Sequence, residues 1–179
     1  MNRYSLYLSV LLVLMAVFFD LRYQKIPNWM TFPFILTGIT SSWFFSGSSG
    51  LKFSLFGLIT GFFLLFFFYL LGGMGAGDVK LLSAVGSLLG PRLVFYAFVW
   101  TALTGGILAV GLIIYKKAFR QTFFNIGTLL QTWLVGFGMK SISNFTIHNR
   151  SLIKLPYAVP IAIGTILAVW LREVPALGL

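Results

Sequence analysis

Long apolar runs broken by short polar stretches set the plan of this chain. Tyr4 to Phe19 carries no charge and stops at Asp20. The turn Leu21-Arg22-Tyr23-Gln24-Lys25 follows. Pro27 suits the first position of a new helix, where its missing N–H costs nothing. That second run reaches about Phe45, with Trp29 and Trp43 as interfacial anchors near its ends. Ser46 to Gly50 reads as a loop. Phe53 to Leu71 is a third run, stopped by Gly72-Gly73. Val79 to Leu89 is short and ends at Gly90-Pro91, Leu93 to Tyr115 is full length, and Leu155 to Leu171 is the last. Crossing the hydrocarbon core takes about 20 apolar residues. The pattern predicts an all-α, polytopic membrane helix bundle with about six transmembrane helices.

Lys116 to Lys154 departs from this pattern. Its ends are basic, while Phe123, Ile126, Leu130, Trp133, Leu134 and Phe137 fall on one helical face and Asn125, Thr128, Gln131 and Thr132 on the other. Such a stripe predicts an interfacial helix over 121–139. A seventh span is the competing reading.

Composition narrows the class. Of 179 residues, 59% are hydrophobic and 9% charged, with no cysteine, and the mean hydropathy is +0.96. Soluble domains carry roughly 25% charged residues. The net charge of +10 therefore speaks of topology in a bilayer, not of nucleic acid. A single integral membrane domain over 1–179 is expected, its first helix retained because no small-residue cleavage site follows it. Without cysteine there is no disulfide framework, no thiol nucleophile and no Cys-ligated zinc. The lone His148 sits in a polar stretch, and no metal or cofactor is expected.

Charge also orients the chain. With six spans, Arg22, Lys25, Lys80, Lys116, Lys117, Arg120, Lys140, Arg150 and Lys154 share one side, against Arg3, Lys52, Arg92 and Arg172 on the other. The positive-inside rule makes the first side cytoplasmic and the N-terminus external. Asp20 and Asp78 then both lie near the cytoplasmic face.

Acidic residues are so scarce that each needs a reason. Glu173 follows Arg172 in the polar tail. Asp20 and Asp78 adjoin apolar spans, where an ionisable group is a functional candidate. Local pairing explains them poorly, since Arg22 and Lys80 stand two residues away and i, i+2 side chains on a helix do not face each other. Asp78 opens a helix behind Gly72-Gly73-Met74-Gly75-Ala76-Gly77, where free N–H groups favour its charge. Asp20 closes a helix, where the dipole opposes charge. If the two carboxyl groups meet, they share one proton. That arrangement activates water with one group and protonates the product with the other, with Asp78 assigned the ionised role.

These residues carry a resemblance. Asp20-Leu21-Arg22-Tyr23-Gln24-Lys25-Ile26-Pro27-Asn28 resembles the D-x-R-x-x-x-I-P-N signature of the type IV prepilin peptidases. Gly75-Ala76-Gly77-Asp78-Val79-Lys80-Leu81-Leu82 resembles their G-x-G-D-x-K-L segment, and Leu155-Pro156-Tyr157-Ala158-Val159-Pro160-Ile161-Ala162-Ile163-Gly164 their last-helix motif. The resemblance implies an aspartic endopeptidase of the cytoplasmic (inner) membrane that removes basic leaders from prepilin-type substrates. It implies Asp20 and Asp78 as the catalytic pair, with Arg22, Pro27, Asn28, Gly75, Gly77 and Lys80 as supporting motif residues. Bifunctional members carry paired Cys-x-x-Cys motifs and N-methylate the trimmed pilin. This cysteine-free chain is similar to the short forms serving tight-adherence (Flp) pili or preflagellins, so methylation is not expected. The alternative from another class is a proton-coupled transporter or channel using the same aspartates as a relay. Such sites usually lie mid-bilayer between internal repeats.

Overall fold

The computed structural model describes residues 3–71, 73–115 and 156–173. Among them are four helices and no strand: α1 (Arg3–Tyr23), α2 (Asn28–Leu70), α3 (Ala76–Tyr115) and α4 (Ala158–Glu173). The first three are long and apolar enough to cross a bilayer, and α4 is a shorter apolar helix. The chain divides into two units, Met1–Gly105 with Pro156–Leu179, and Gly106–Leu155. Of the second, the described part is the end of α3 up to Tyr115. The interfacial helix expected over 121–139 and His148 lie outside the described residues.

At 43 and 40 residues, α2 and α3 are about twice the length a bilayer needs. Each is broken once, α2 at Gly47 (φ 57°, ψ −141°) and α3 at Gly90 (φ 78°, ψ 175°). Both conformations lie in the region that glycine alone enters freely. The Gly90-Pro91 stop predicted from sequence coincides with the second break. The loop predicted over Ser46–Gly50 is instead helical except at Gly47. The helix is kept on both sides of the break, and a single glycine in a conformation open to it turns the chain where the sequence predicts a longer loop. Pro27 differs by one position. It is the N-cap of α2 in extended geometry, and its carbonyl accepts the Met30 N–H (3.2 Å).

The outer faces are apolar and bare. Phe44 is 88% exposed, and Phe18, Leu36, Phe56, Phe63 and Trp170 are exposed with it. So extensive an apolar surface is untenable in water, and this is a membrane protein. Helix contacts accordingly rely on small residues, because lipid removes the hydrophobic gain of helix pairing. The buried stripe of α1 is Ser5, Ser9, Leu12, Ala16 and Asp20, one face at helical spacing.

The tightest crossing joins the second half of α2 to the first half of α3. Ser54 Oγ donates to the Ser87 carbonyl (2.8 Å). A Cβ on Gly57 would strike the Gly86 carbonyl, and a Cβ on Gly86 the Gly57 carbonyl. The two backbones touch with nothing between them. As a result, Leu81 to Gly90 is buried throughout, an inner segment enclosed by its neighbours. Gly86→Ala is expected to cost about 1–3 kcal/mol through overpacking, read as a lower unfolding temperature in detergent.

Candidate active site

The start of α3 positions Asp78. Gly75 is the residue before the helix, and its carbonyl accepts the Asp78 N–H (3.1 Å). Asp78 Oδ2 in turn accepts the Gly75 N–H (3.0 Å). This is the back-reaching half of a capping box, with Asp where Glu or Gln is commoner. It holds the carboxylate beside the first turn, 7% exposed. The two motif glycines keep this place open. A Cβ on Gly75 would crowd Asp78 Oδ2 at 3.3 Å, and one on Gly77 would press Ile26 Cβ at 3.1 Å.

Asp20 comes from the last turn of α1. Its Oδ2 accepts the N–H of Ala158, the first residue of α4 (3.1 Å). A carboxylate at a helix start satisfies a free N–H and meets the positive end of the dipole. This changes the expectation drawn from sequence. Asp20 faces the negative end of its own helix and the positive end of another, so helix termini no longer separate the roles of the two aspartates.

Each of the two carboxylates is thus held by a backbone N–H at a helix start. Asp20 and Asp78 are both buried, near enough for their electrostatic fields to overlap. Tyr157 completes the group. It precedes the residue that binds Asp20, is half-buried, and lies within reach of the Asp78 charge. Sequence reading places Tyr157 inside the third motif but assigns it no role.

The supporting residues divide. Lys80 Nζ donates to Asn28 Oδ1 (2.9 Å), a bond between the first turns of α2 and α3. Lys80 thereby joins the first motif to the second, as does Ile26 packed on Gly77. Pro27 starts α2, while Arg22 stands exposed on the last turn of α1. Just beyond it, Gln24 has φ 51°, and its N–H closes α1 on the Asp20 carbonyl (2.8 Å). A left-handed residue ends many helices, and it is usually Gly or Asn. Among the described residues, no three His, Cys, Asp or Glu gather as metal ligands would.

If the Lys80–Asn28 bond aligns the two motifs, removing either end loses the same thing. Asn28→Ala and Lys80→Met are expected to slow turnover similarly. The double variant is expected to be no slower than the worse single one, a coupling read by a double-mutant cycle.

No curated protein and no solved structure matches the chain. The sequence model of the type IV leader peptidase family does match, over residues 6–110. That stretch is more than half of the chain and includes Asp20 and Asp78. This chain belongs to the type IV leader peptidase family and is a protease.

Proposed function

We propose that the chain is an aspartic endopeptidase that cuts the basic leader from prepilin-type substrates at the cytoplasmic face of the cell membrane. The observation that supports this reading is that Asp20 and Asp78 are both buried and each is held by the N–H of a helix start. Water between them attacks the scissile carbonyl carbon. The ionised carboxylate takes the water proton, and the protonated one gives its proton to the carbonyl oxygen. Collapse breaks the C–N bond, passes a hydroxyl proton of the tetrahedral intermediate back to the second group and the first group's proton to the leaving amine, so the pair ends with the one proton it began with.

Six spans account for the backbone, with Gly47 and Gly90 as the turns between the halves of α2 and α3. The surplus of Lys and Arg on one side then makes the aspartate side cytoplasmic. A prepilin leader lies on that side, and its hydrophobic helix enters the bilayer from there, which brings the scissile bond to a shallow pair. The lack of cysteine supports a peptidase without the methylating activity. Both aspartates sit in end turns of helices, which disfavours a mid-bilayer proton relay.

The test is cleavage of a prepilin with a basic leader by the purified chain in detergent. A product trimmed at the head of its hydrophobic segment, identified by mass spectrometry, is the expected result. An uncut substrate across several prepilin types overturns the reading.

A further inference from the structure

At the end of the bundle away from the carboxylate pair lies a cavity of about 470 Å³. Ser5 at the start of α1 and Arg172 at the end of α4 both line it, whereas Asp20 and Ala158 mark the other ends of the same two helices. Along either helix the separation is about 20 Å at 1.5 Å per residue. The two sites therefore stand on opposite sides of most of a hydrocarbon core about 30 Å thick.

The lining of this cavity is chemically one-sided. Two arginines, Arg92 and Arg172, converge on it together with five serines. Among the described residues, no acidic side chain lines it. Asp20 and Asp78 are held at the far end, and Glu173, beside Arg172 in sequence, balances at most one of the two charges. Cations are disfavoured on the translocated side of a membrane protein, and the six-span topology leaves four there. Two of the four meet in one cavity. A guanidinium offers a planar fork that pairs with phosphate through two parallel hydrogen bonds, and serine hydroxyls add single donors. The Ser41 hydroxyl already donates to the Gly38 carbonyl (3.2 Å). The rim is of another kind. Phe45 and Phe53 are 55% and 37% exposed and give the mouth an apolar edge on a lipid-facing surface.

We propose that this cavity binds the phosphate ester headgroup of an anionic membrane phospholipid, with its acyl chains lying over the phenylalanine rim. The guanidinium pair supplies charge complementarity, the serines fix the headgroup, and the rim distinguishes a lipid from a free anion. Such a lipid fastens the end of α4 to the start of α3's second half, across from the catalytic group.

The experiment titrates the full chain in a neutral detergent with phosphatidylglycerol, with diacylglycerol and with inorganic phosphate. Readouts are the unfolding temperature and bound lipid by native mass spectrometry. Phosphatidylglycerol is expected to stabilise saturably and to remain bound, and the Arg92→Gln/Arg172→Gln chain to need at least tenfold more of it. Arg92 is exposed, so Arg92→Gln alone keeps the test open should the double variant fold poorly; a weaker loss in the same direction is expected. Asp20→Asn is expected to bind as the wild type does, which separates this site from leader cleavage. Binding no tighter than that of diacylglycerol, or unchanged by the arginine substitutions, overturns the proposal. Full stabilisation by inorganic phosphate, with nothing added by the lipid, overturns the lipid assignment.

Discussion

Asp20→Asn and Asp78→Asn are each expected to lower the rate of leader cleavage by about 10³–10⁴-fold, the upper range for a removed general acid or base. The fold should hardly notice. The asparagine carbonyl is an acceptor like the carboxylate, so Asn at 78 keeps the bond from the Gly75 N–H and Asn at 20 the bond from the Ala158 N–H. A stability change within about 1 kcal/mol is expected, in line with a kept cap. Because the two groups act as one unit, the double variant should be no slower than either single one. A capping role alone predicts the reverse, with activity intact in any variant that still folds. Steady-state cleavage beside thermal unfolding distinguishes the two.

Gly90→Ala is expected to have the largest effect on the fold. Two costs coincide there. The backbone at φ 78°, ψ 175° is strained for any L side chain by about 1–3 kcal/mol. The added Cβ would also run into the ring of Phe53, an overpacking cost of about 1–3 kcal/mol more. Against a total stability of about 5–15 kcal/mol, poor yield of folded protein is the expected outcome. The two parts are separable. Phe53→Ala added to Gly90→Ala relieves the clash and leaves the strain. Gly47→Ala carries strain alone, since nothing stands within 4 Å of its Cβ position. The unfolding temperatures should therefore rank Gly90→Ala lowest, with Gly47→Ala and the Phe53→Ala/Gly90→Ala chain above it.

Much of this architecture is legible in the chain because lipid simplifies the code. Apolar runs mark the helices, and a carboxylate beside such a run stands out against three acidic residues in all. What stays hidden depends on distant backbone. The Ala158 N–H reaches Asp20 across 138 positions, and no local pattern tells that one helix start will face another helix's last turn. Ser46 to Gly50 misleads for a different reason. Its serines and glycines are the usual residues of a loop, yet here their backbone stays helical and only Gly47 departs. The Gly57–Gly86 crossing leaves a readable trace, Gly57-Leu58-Ile59-Thr60-Gly61, the small-residue spacing of close helix pairs. That spacing marks a contact without naming the partner. Tyr157 sits in plain view within the third motif, but only the folded chain brings it to Asp78.

The central claim is that Asp20 and Asp78 share a proton and act together on a peptide bond. The pH dependence of kcat/KM for leader cleavage tests it most directly. Activity needs one carboxyl ionised and its partner protonated. The rate must therefore rise with pH as the first proton leaves the pair and fall as the second leaves. A bell bounded by two such limbs, its residual activity in Asp20→Asn and Asp78→Asn no longer bell-shaped, is the predicted result. A profile that rises once and stays level, or one that either substitution leaves unchanged, would contradict the shared proton.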